Sequence, residues 1–582
     1  MRKFWLLGIL LLPLLAEEKG RVFLISLDGL GFQAFTEDPA AAEMKTLRKL
    51  ASEGIAAPMQ GSFPSLTAAS HASIFTGVYG DKNGITANDV PKTPRSEHRF
   101  TERANGFRAE QLRAEDFWLK AARADVRVLA HNSTQGFPCN ALNSGPNVAL
   151  VNGYQTATVV PERLVRGKDV KWLDSPSKEF AAVDKSSLPV RYFEYNAGQI
   201  RFVGAIYARS KRYDAIRLSA DVAKRSVDVM LAATENEPPL NRPLARYFSE
   251  AMLIGDRSAL HFRLFELNAH GDDFLLYQTA AKELSVCGED GSRVRSKILA
   301  TAGAFAGNGS GSLYTKDEFG ARYTNGVAER RFLETLELHT RQTMRHTRAL
   351  FVQYKPQLTV DYLATADDML HYWWGLAARG DRFIEPYRRW GYQLIDWRIR
   401  ELQSLMEKED HLVVVSDHGM ASIEKELRLN RLLEDLGYAG RVIVQDQYLI
   451  VNRKAWFGGT VEDSEVEGLL IEVKAKLESY RDGGAPVFGK FFWPKDANAK
   501  FGIGGETGGD LYFDLAPGYK VINDLKGEVI VRLSRPVGGH GPLPTRPELM
   551  SLFIAIGPKV ETRPVSLRSI DVAPFVLHLL GL

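Results

Sequence analysis

Cysteine is close to absent: Cys139 and Cys287 are the only two in 582 residues. Two thiols permit one bridge without requiring it, and they exclude a thiolate metal cluster. An excess of charge of either sign is missing as well. Lys plus Arg number 74 against 71 Asp plus Glu, a formal net charge of +3, and no basic run or Arg-rich stripe occurs. A nucleic-acid partner therefore has no electrostatic footprint here. Long apolar runs are lacking, with one short exception at the start, "MRKFWLLGILLLPLLAEEKG". Arg2 and Lys3 precede about 12 apolar residues, Phe4 to Leu15, which are too few to span a bilayer. Residues 1–16 read as a secretory signal peptide, which implies a periplasmic or secreted protein. Leu14 stands where a small residue is usual before the cleavage site, so an uncleaved signal anchor is the alternative. Beyond it there is no second membrane segment, internal repeat or low-complexity tail.

What the chain does have is enough apolar content, 45%, to bury a large core. "RVFLISLDG" is a continuous apolar run with β-branched members, ended by Asp-Gly, as expected of a strand buried on both faces. "MKTLRKLASEG" reads as an amphipathic helix closed by Gly54, and "AEDFWLKAARAD" then "VRVLAH" repeat the helix-to-strand alternation. "LTVDYLATADD", "GYQLIDWRIRELQSLMEKED", "HLVVVSDHGM" and "ELMSLFIAIGP" continue it. The pattern predicts an α/β protein with a mostly parallel sheet and helices on both faces. One main domain over 20–582 is expected, with cap-like insertions at about 140–345, where short alternating runs suggest antiparallel strands, and at about 426–530.

The stretch "FPSLTAASHASIFTG" raises the first chemical question. Thr67 opens a predicted helix, and a hydroxyl there either caps the first free N–H groups or acts as a nucleophile favoured by the helix N-terminus. The residue alone does not decide. Elsewhere, Asp28 ends the first strand, Asp367 and His371 stand four apart after another, Asp417 and His418 end a third, and His540 precedes the last core strand. In open α/β sheets ligands bind beyond the carboxyl ends of the strands, so residues scattered in sequence can converge there. Singly, each has a bland explanation as a turn residue or a solvated helix face. Together, three Asp and three His suffice for two metal sites. Mixed imidazole and carboxylate donors suit zinc better than magnesium, with manganese or iron a lesser fit.

The motifs "LDG", "FPSLTAASH", "GITAND", "YLATADDMLH", "SDHGM" and "GGHG" resemble the successive motifs of the alkaline phosphatase superfamily, and within it the type I phosphodiesterase / nucleotide pyrophosphatase family. The resemblance covers about residues 20–90, 350–425 and 535–582. It implies an alkaline-phosphatase-like core and a di-zinc hydrolase of phosphodiester, or nucleotide pyrophosphate, bonds in small molecules. Asp367, His371 and His540 would hold one zinc, and Asp28, Asp417, His418 and the Thr67 oxygen the other. Thr67 would be the nucleophile of a phospho-threonine route, and Asn88 would donate to a phosphoryl oxygen. His71, one helical turn from Thr67, is expected to support the site and not to act as a base.

One departure stands out. Nucleotide-hydrolysing relatives stack the base between an aromatic immediately after the nucleophile and a Tyr five residues before the metal-binding Asp. Tyr362 matches the second position, whereas Ala68 occupies the first. Half of the clamp is missing, and Ala68→Phe is expected to restore part of it. Phosphomonoesterases and phosphonoacetate-type hydrolases of the superfamily are the enzymatic alternatives. Sulfatases are disfavoured because Thr67 has neither the residue nor the neighbours they use. A non-catalytic zinc-binding module is the non-enzymatic rival, and its expected signature, loss of the nucleophile or ligands, is not found.

Overall fold

The computed structural model describes residues 20–582 except 178–182, 184, 224, 243–245, 289–290, 308 and 562–565. The signal peptide read over residues 1–16 lies outside them.

The first strand, β1 (Val22–Leu27), is buried along its whole length. Its side chains alternate between two cores: Val22 and Leu24 enter one, Phe23, Ile25 and Leu27 the other. That alternation is why the sequence shows an unbroken apolar run there. Eight more strands complete the sheet: β2 (Ile55–Gln60), β3 (Val128–His131), β4 (Val148–Asn152), β5 (Ser285–Cys287), β6 (Leu358–Leu363), β7 (His411–Val415), β8 (Ser551–Ile556) and β9 (Leu567–Arg568). Their order is β5-β4-β3-β6-β1-β7-β8-β2-β9. The run β4-β3-β6-β1-β7 is parallel, whereas β8 is antiparallel to both its neighbours and β5 to β4.

Helices cover both faces. α1 (Lys45–Glu53), α4 (Val327–Tyr354), α5 (Thr365–Ala378) and α6 (Glu385–Gln403) contribute to the core with Phe23 and Ile25. On the opposite side α2 (Thr67–Thr76), α3 (Phe117–Arg123) and α7 (Val572–Leu579) pack with Val22 and Leu24.

The stretch from about 140 to 345 is not one inserted block. It holds β4 and β5 of the central sheet, and α4 packs against β3, β6 and α6. Between β4 and β5 lies a five-stranded antiparallel sheet whose middle strands are Arg191–Ala197, Ile200–Tyr207 and Ala215–Ala220, with a separate apolar core. Farther on, Ala421–Leu427 pairs antiparallel with Ile530–Gly539, from Ala421↔Gly539 to Leu427↔Ile530. The chain between these strands folds as a four-stranded sheet and a helix (Val466–Ser479) around a core of their own.

Candidate active site

The antiparallel ladder explains how His540 reaches residues far away in sequence. Ala421 faces Gly539, so His418, just before one strand, meets His540, just after the other. Their rings stack at 3.7 Å between centroids. Because β8 runs opposite to β7, the segment entering it also lies at the carboxyl edge of the parallel strands, where Ser551 Oγ donates to the Asp417 carbonyl.

At α2, Leu66 is the N-cap and supplies no side-chain hydrogen bond. Thr67 is not a cap. Its Oγ1 lies 3.1 Å from His418 Nε2, and the Ala68 N–H donates instead to Asn88 Oδ1 at 2.9 Å. That bond orients the Asn88 amide, since a carbonyl oxygen only accepts, and leaves its Nδ2 hydrogens for a ligand.

Three imidazoles share one arrangement. His418 Nδ1 donates to the Gly419 carbonyl (3.0 Å), His540 Nδ1 to the Ser65 carbonyl (2.8 Å) and His371 Nδ1 to the Gly538 carbonyl (3.3 Å). Each Nδ1 therefore carries the proton, and each Nε2 lone pair is turned toward carboxylates. His418 Nε2 lies 3.1 Å from Asp417 Oδ2 and 3.7 Å from Asp28 Oδ1; His371 Nε2 lies 3.3 Å and His540 Nε2 3.9 Å from Asp367 Oδ1. These carboxylate oxygens, Asp28 Oδ1, Asp367 Oδ1 and Asp417 Oδ2, are buried and have no hydrogen-bond donor among the described residues. Asp28 and Asp417 are almost wholly buried, while Asp367 and His371 are 17% and 28% exposed, so one end of the cluster is open.

Electrostatics make the same case. Burial, then Asp417 and Asp367, push the Asp28 carboxyl well above its usual range. Three crowded carboxylates with unpaired oxygens and inward imidazole lone pairs form a donor set that a cation completes. Asp367, His371 and His540 have ligand atoms within 4.8 Å of one another, as do Asp28, Asp367 and His418, and Asp28, His71 and Asp417. His71, however, has both nitrogens engaged, with the Thr67 carbonyl at 2.9 Å and Ser26 Oγ at 2.7 Å. It fixes the first turn of α2.

Gly29 is required where it stands. Its φ is +71°, and a Cβ there would come within 2.8 Å of Asp367 Cα and Cβ.

Two expectations about base stacking do not survive the packing. Tyr362 is 2% exposed, its hydroxyl donates to Asp28 Oδ2, and its ring meets those of His71 and Tyr154, so it offers no face to a base. Ala68 is fully buried among Ala72, Ile85, Ala109 and Leu112, with Phe107 against them, which leaves no room for the Phe expected to rebuild the clamp. The aromatic surface beside the cluster comes from Tyr154, whose ring lies 5.3 Å from Tyr362, with Phe107 and Phe305 around it. No local motif marks Tyr154 or Phe107; only the packing brings them here.

The site is thus a cluster of carboxylates and imidazoles gathered at the carboxyl edge of a mostly parallel α/β sheet. The profile of the type I phosphodiesterase / nucleotide pyrophosphatase family matches residues 22–211 and 277–543, well over half of the chain. The protein belongs to that family. An uncharacterised pyrophosphatase/phosphodiesterase of Schizosaccharomyces pombe is 28% identical over 166 residues, 27% of this chain and 31% of that protein. The chain thus matches about a third of the length of this curated relative. Among solved structures, murine ectonucleotide pyrophosphatase/phosphodiesterase 5 is similar at 13% identity and a TM-score of 0.47, covering 97% of this chain and 95% of its own. Phosphonoacetate hydrolase from Sinorhizobium meliloti is similar at 14% identity and a TM-score of 0.49, covering 97% and 96%.

Proposed function

We propose that the protein is a periplasmic or secreted hydrolase of phosphodiester bonds in small molecules, nucleotide pyrophosphates included, acting through a phospho-threonine at Thr67. The observation that carries this reading is the Thr67 hydroxyl at 3.1 Å from His418 Nε2, beside three unpaired carboxylate oxygens. Asp367, His371 and His540 would hold one divalent ion and Asp28, Asp417 and His418 a second, zinc by the chemistry of the donors. Such ions supply Lewis acidity, which favours the threonine alkoxide and neutralises charge developing on phosphoryl and leaving oxygens.

The chain's own groups do the rest. Thr67 Oγ1 attacks phosphorus, its proton passes to solvent, and the bond from phosphorus to the leaving oxygen breaks; the expelled alkoxide takes a proton from water. Water then adds to phosphorus, the Oγ1–phosphorus bond breaks, and the hydroxyl is restored. Asn88 Nδ2 donates to a phosphoryl oxygen in both steps. His71 holds the Thr67 carbonyl, and with it the helix start. Tyr362 keeps Asp28 in place by donating to the oxygen that faces away from the imidazoles.

A substrate with a second anionic group, such as a phosphonate bearing a carboxylate, is a second reading. It is favoured by Lys282, a half-buried ammonium that donates to the Tyr154 carbonyl at 2.6 Å, lies 6.0 Å from the Phe305 ring centre, and has no carboxylate partner among the described residues. The disulfide between Cys139 and Cys287 supports an oxidising compartment. No helix among the described residues is long and apolar enough to cross a membrane.

The deciding experiment assays diesters, monoesters and phosphonates with the zinc-loaded protein, after chelation, and after zinc is restored. Diester hydrolysis is expected to vanish on chelation and to return with zinc. Full activity in protein shown to be metal-free would overturn the reading.

A further inference from the structure

Seven residues after Asn88, the guanidinium of Arg95 is buried without a hydrogen-bond partner among the described residues. Arg95 is 5% exposed, and its Nε, Nη1 and Nη2 make no hydrogen bond. Its backbone is fixed by the Phe457 N–H donating to its carbonyl at 3.0 Å, and the guanidinium lies 4.5 Å over the Trp456 ring. The ring face attracts a cation but offers no acceptor for its N–H groups.

The neighbouring charge is of the same sign. Arg103 is held by Gln445 Oε1 and by the Phe100 and Glu102 carbonyls, and it repels Arg95. The acids within electrostatic reach of Arg95 are committed elsewhere, Asp510 to Arg453 and the Val451 N–H and Glu506 to Arg113, while Asp446 and Asp89 act on Arg103. Beside them lies the Tyr448 hydroxyl, fully buried, with the Thr86 side chain as a polar neighbour, whereas the Arg95 N–H groups have no hydrogen-bond partner among the described residues. Buried donors of this kind are nearly always satisfied. Water would satisfy the N–H groups and leave the like charges facing each other, whereas an oxyanion answers both needs and fits the planar fork of a guanidinium.

We propose that Arg95, with the Tyr448 hydroxyl and Arg103 beside it, forms a binding site for a tetrahedral oxyanion of the phosphate or sulfate type, separate from the site at Thr67. The site joins two parts of the molecule: Arg95 and Arg103 come from the core segment after Asn88, Tyr448 and Trp456 from the second insertion. Arg103 also lines an open cleft of about 390 Å³ between these parts, which Arg95 and Tyr448 do not themselves line. Gln445 Nε2 donates to the Asp89 carbonyl at 2.6 Å, so an anion that tightens this junction bears on the residue next to Asn88. The proposal does not depend on the reaction assigned above.

The test is calorimetric titration of inorganic phosphate, and separately of sulfate, into the zinc-loaded full chain. Hydrogen exchange over residues 92–103 follows the same titrations. Two phosphate-binding events are expected in the wild type. Arg95→Gln should abolish one event and the phosphate-dependent protection of 92–103, with the inhibition constant of phosphate against diester hydrolysis unchanged within twofold. Arg95→Lys, which keeps the charge without the fork, should weaken that event at least tenfold, and covers the case in which Arg95→Gln does not fold. Sulfate displacing phosphate from this event marks a general tetrahedral-anion site; failure to displace it marks a phosphate site. Titration in which every wild-type event persists in Arg95→Gln, or at full strength in Arg95→Lys, overturns the proposal, whether or not the chain hydrolyses diesters.

Discussion

Three side chains near the site separate chemistry from support. Thr67 does not cap α2, because Asn88 does, so Thr67→Ala should leave the fold intact while removing a group that the proposed route needs in both steps. The expected loss of turnover is about a thousandfold or more, against a change of melting temperature near zero. Near-native turnover in Thr67→Ala, under conditions where chemistry limits the rate, would rule out the covalent route. Tyr362 reaches Asp28 and no substrate. Tyr362→Phe is expected to weaken metal retention or activity by about 10–100-fold, as is usual when a group that orients a ligand is lost, with metal content after dialysis as the measurement. An unchanged metal content and rate would show that Asp28 needs no such partner. Ala68→Phe is expected to destabilise the protein by about 1–3 kcal/mol by overpacking, with no gain in preference for nucleotides. The two aromatic positions illustrate what a single sequence conceals. Spacing shows that a Tyr precedes Asp367 by five residues, but whether its ring faces a cleft or a carboxylate depends on Tyr154 and His71, which lie far away in the chain.

At the scale of elements, alternation along β6 sends neighbouring residues to opposite sides of the sheet. Tyr362 goes to α2 and the candidate site, whereas Asp361 pairs with Arg398 of α6 and accepts from Thr347 of α4. Helix α4 is unusual for the charge it buries. Glu337 is held by Arg341 at 2.7 Å and has one oxygen without a partner; burial, partly offset by Arg341, raises its carboxyl to about 7. A folded-state value above the unfolded one means that the native protein binds the extra proton. The stabilisation is then fully present below the ordinary Glu value and is lost as pH rises toward 7. Glu337→Gln stays neutral at every pH. Relative to it, the wild type should lose on the order of a few kcal/mol between about pH 4.5 and pH 7.5, read from denaturant midpoints across that range. Parallel pH profiles for the two proteins would mean that Arg341 keeps Glu337 ionised throughout.

For the whole molecule, the parallel part of the sheet was legible because its strands are buried on both faces and leave unbroken apolar runs that end in Asp or His. Asp28, Asp417 and His418 stood out for that reason, Asp367 and His371 by their spacing of four after another such strand. Hidden from the sequence was the direction of β8, which lets His540 arrive beside His418 through the Ala421↔Gly539 ladder, and the membership of β4 and β5 in the central sheet. Both features arise from pairing between distant segments, which local periodicity does not encode. Nor did a count of two cysteines say whether they meet. In the structure Cys139 and Cys287 are joined with their Cα atoms 6.4 Å apart, closing a loop across 148 positions of sequence. Cys287 ends β5, the antiparallel edge strand, so the bond ties the edge of the sheet to the segment before β4. A crosslink over so long a loop limits the unfolded chain and contributes up to about 5 kcal/mol in the chain-entropy account. The candidate site lies on strands β1, β6 and β7, away from that edge, with β3 and β4 between. Reduction with thiol alkylation, or Cys139→Ser with Cys287→Ser, should therefore lower the melting temperature by several degrees and leave turnover at 25 °C within about twofold of the untreated enzyme. A melting temperature that does not move, with both thiols shown by mass to be alkylated, would mean that the edge strand holds without the bond. A collapse of turnover at 25 °C would instead couple the sheet edge to the reaction site.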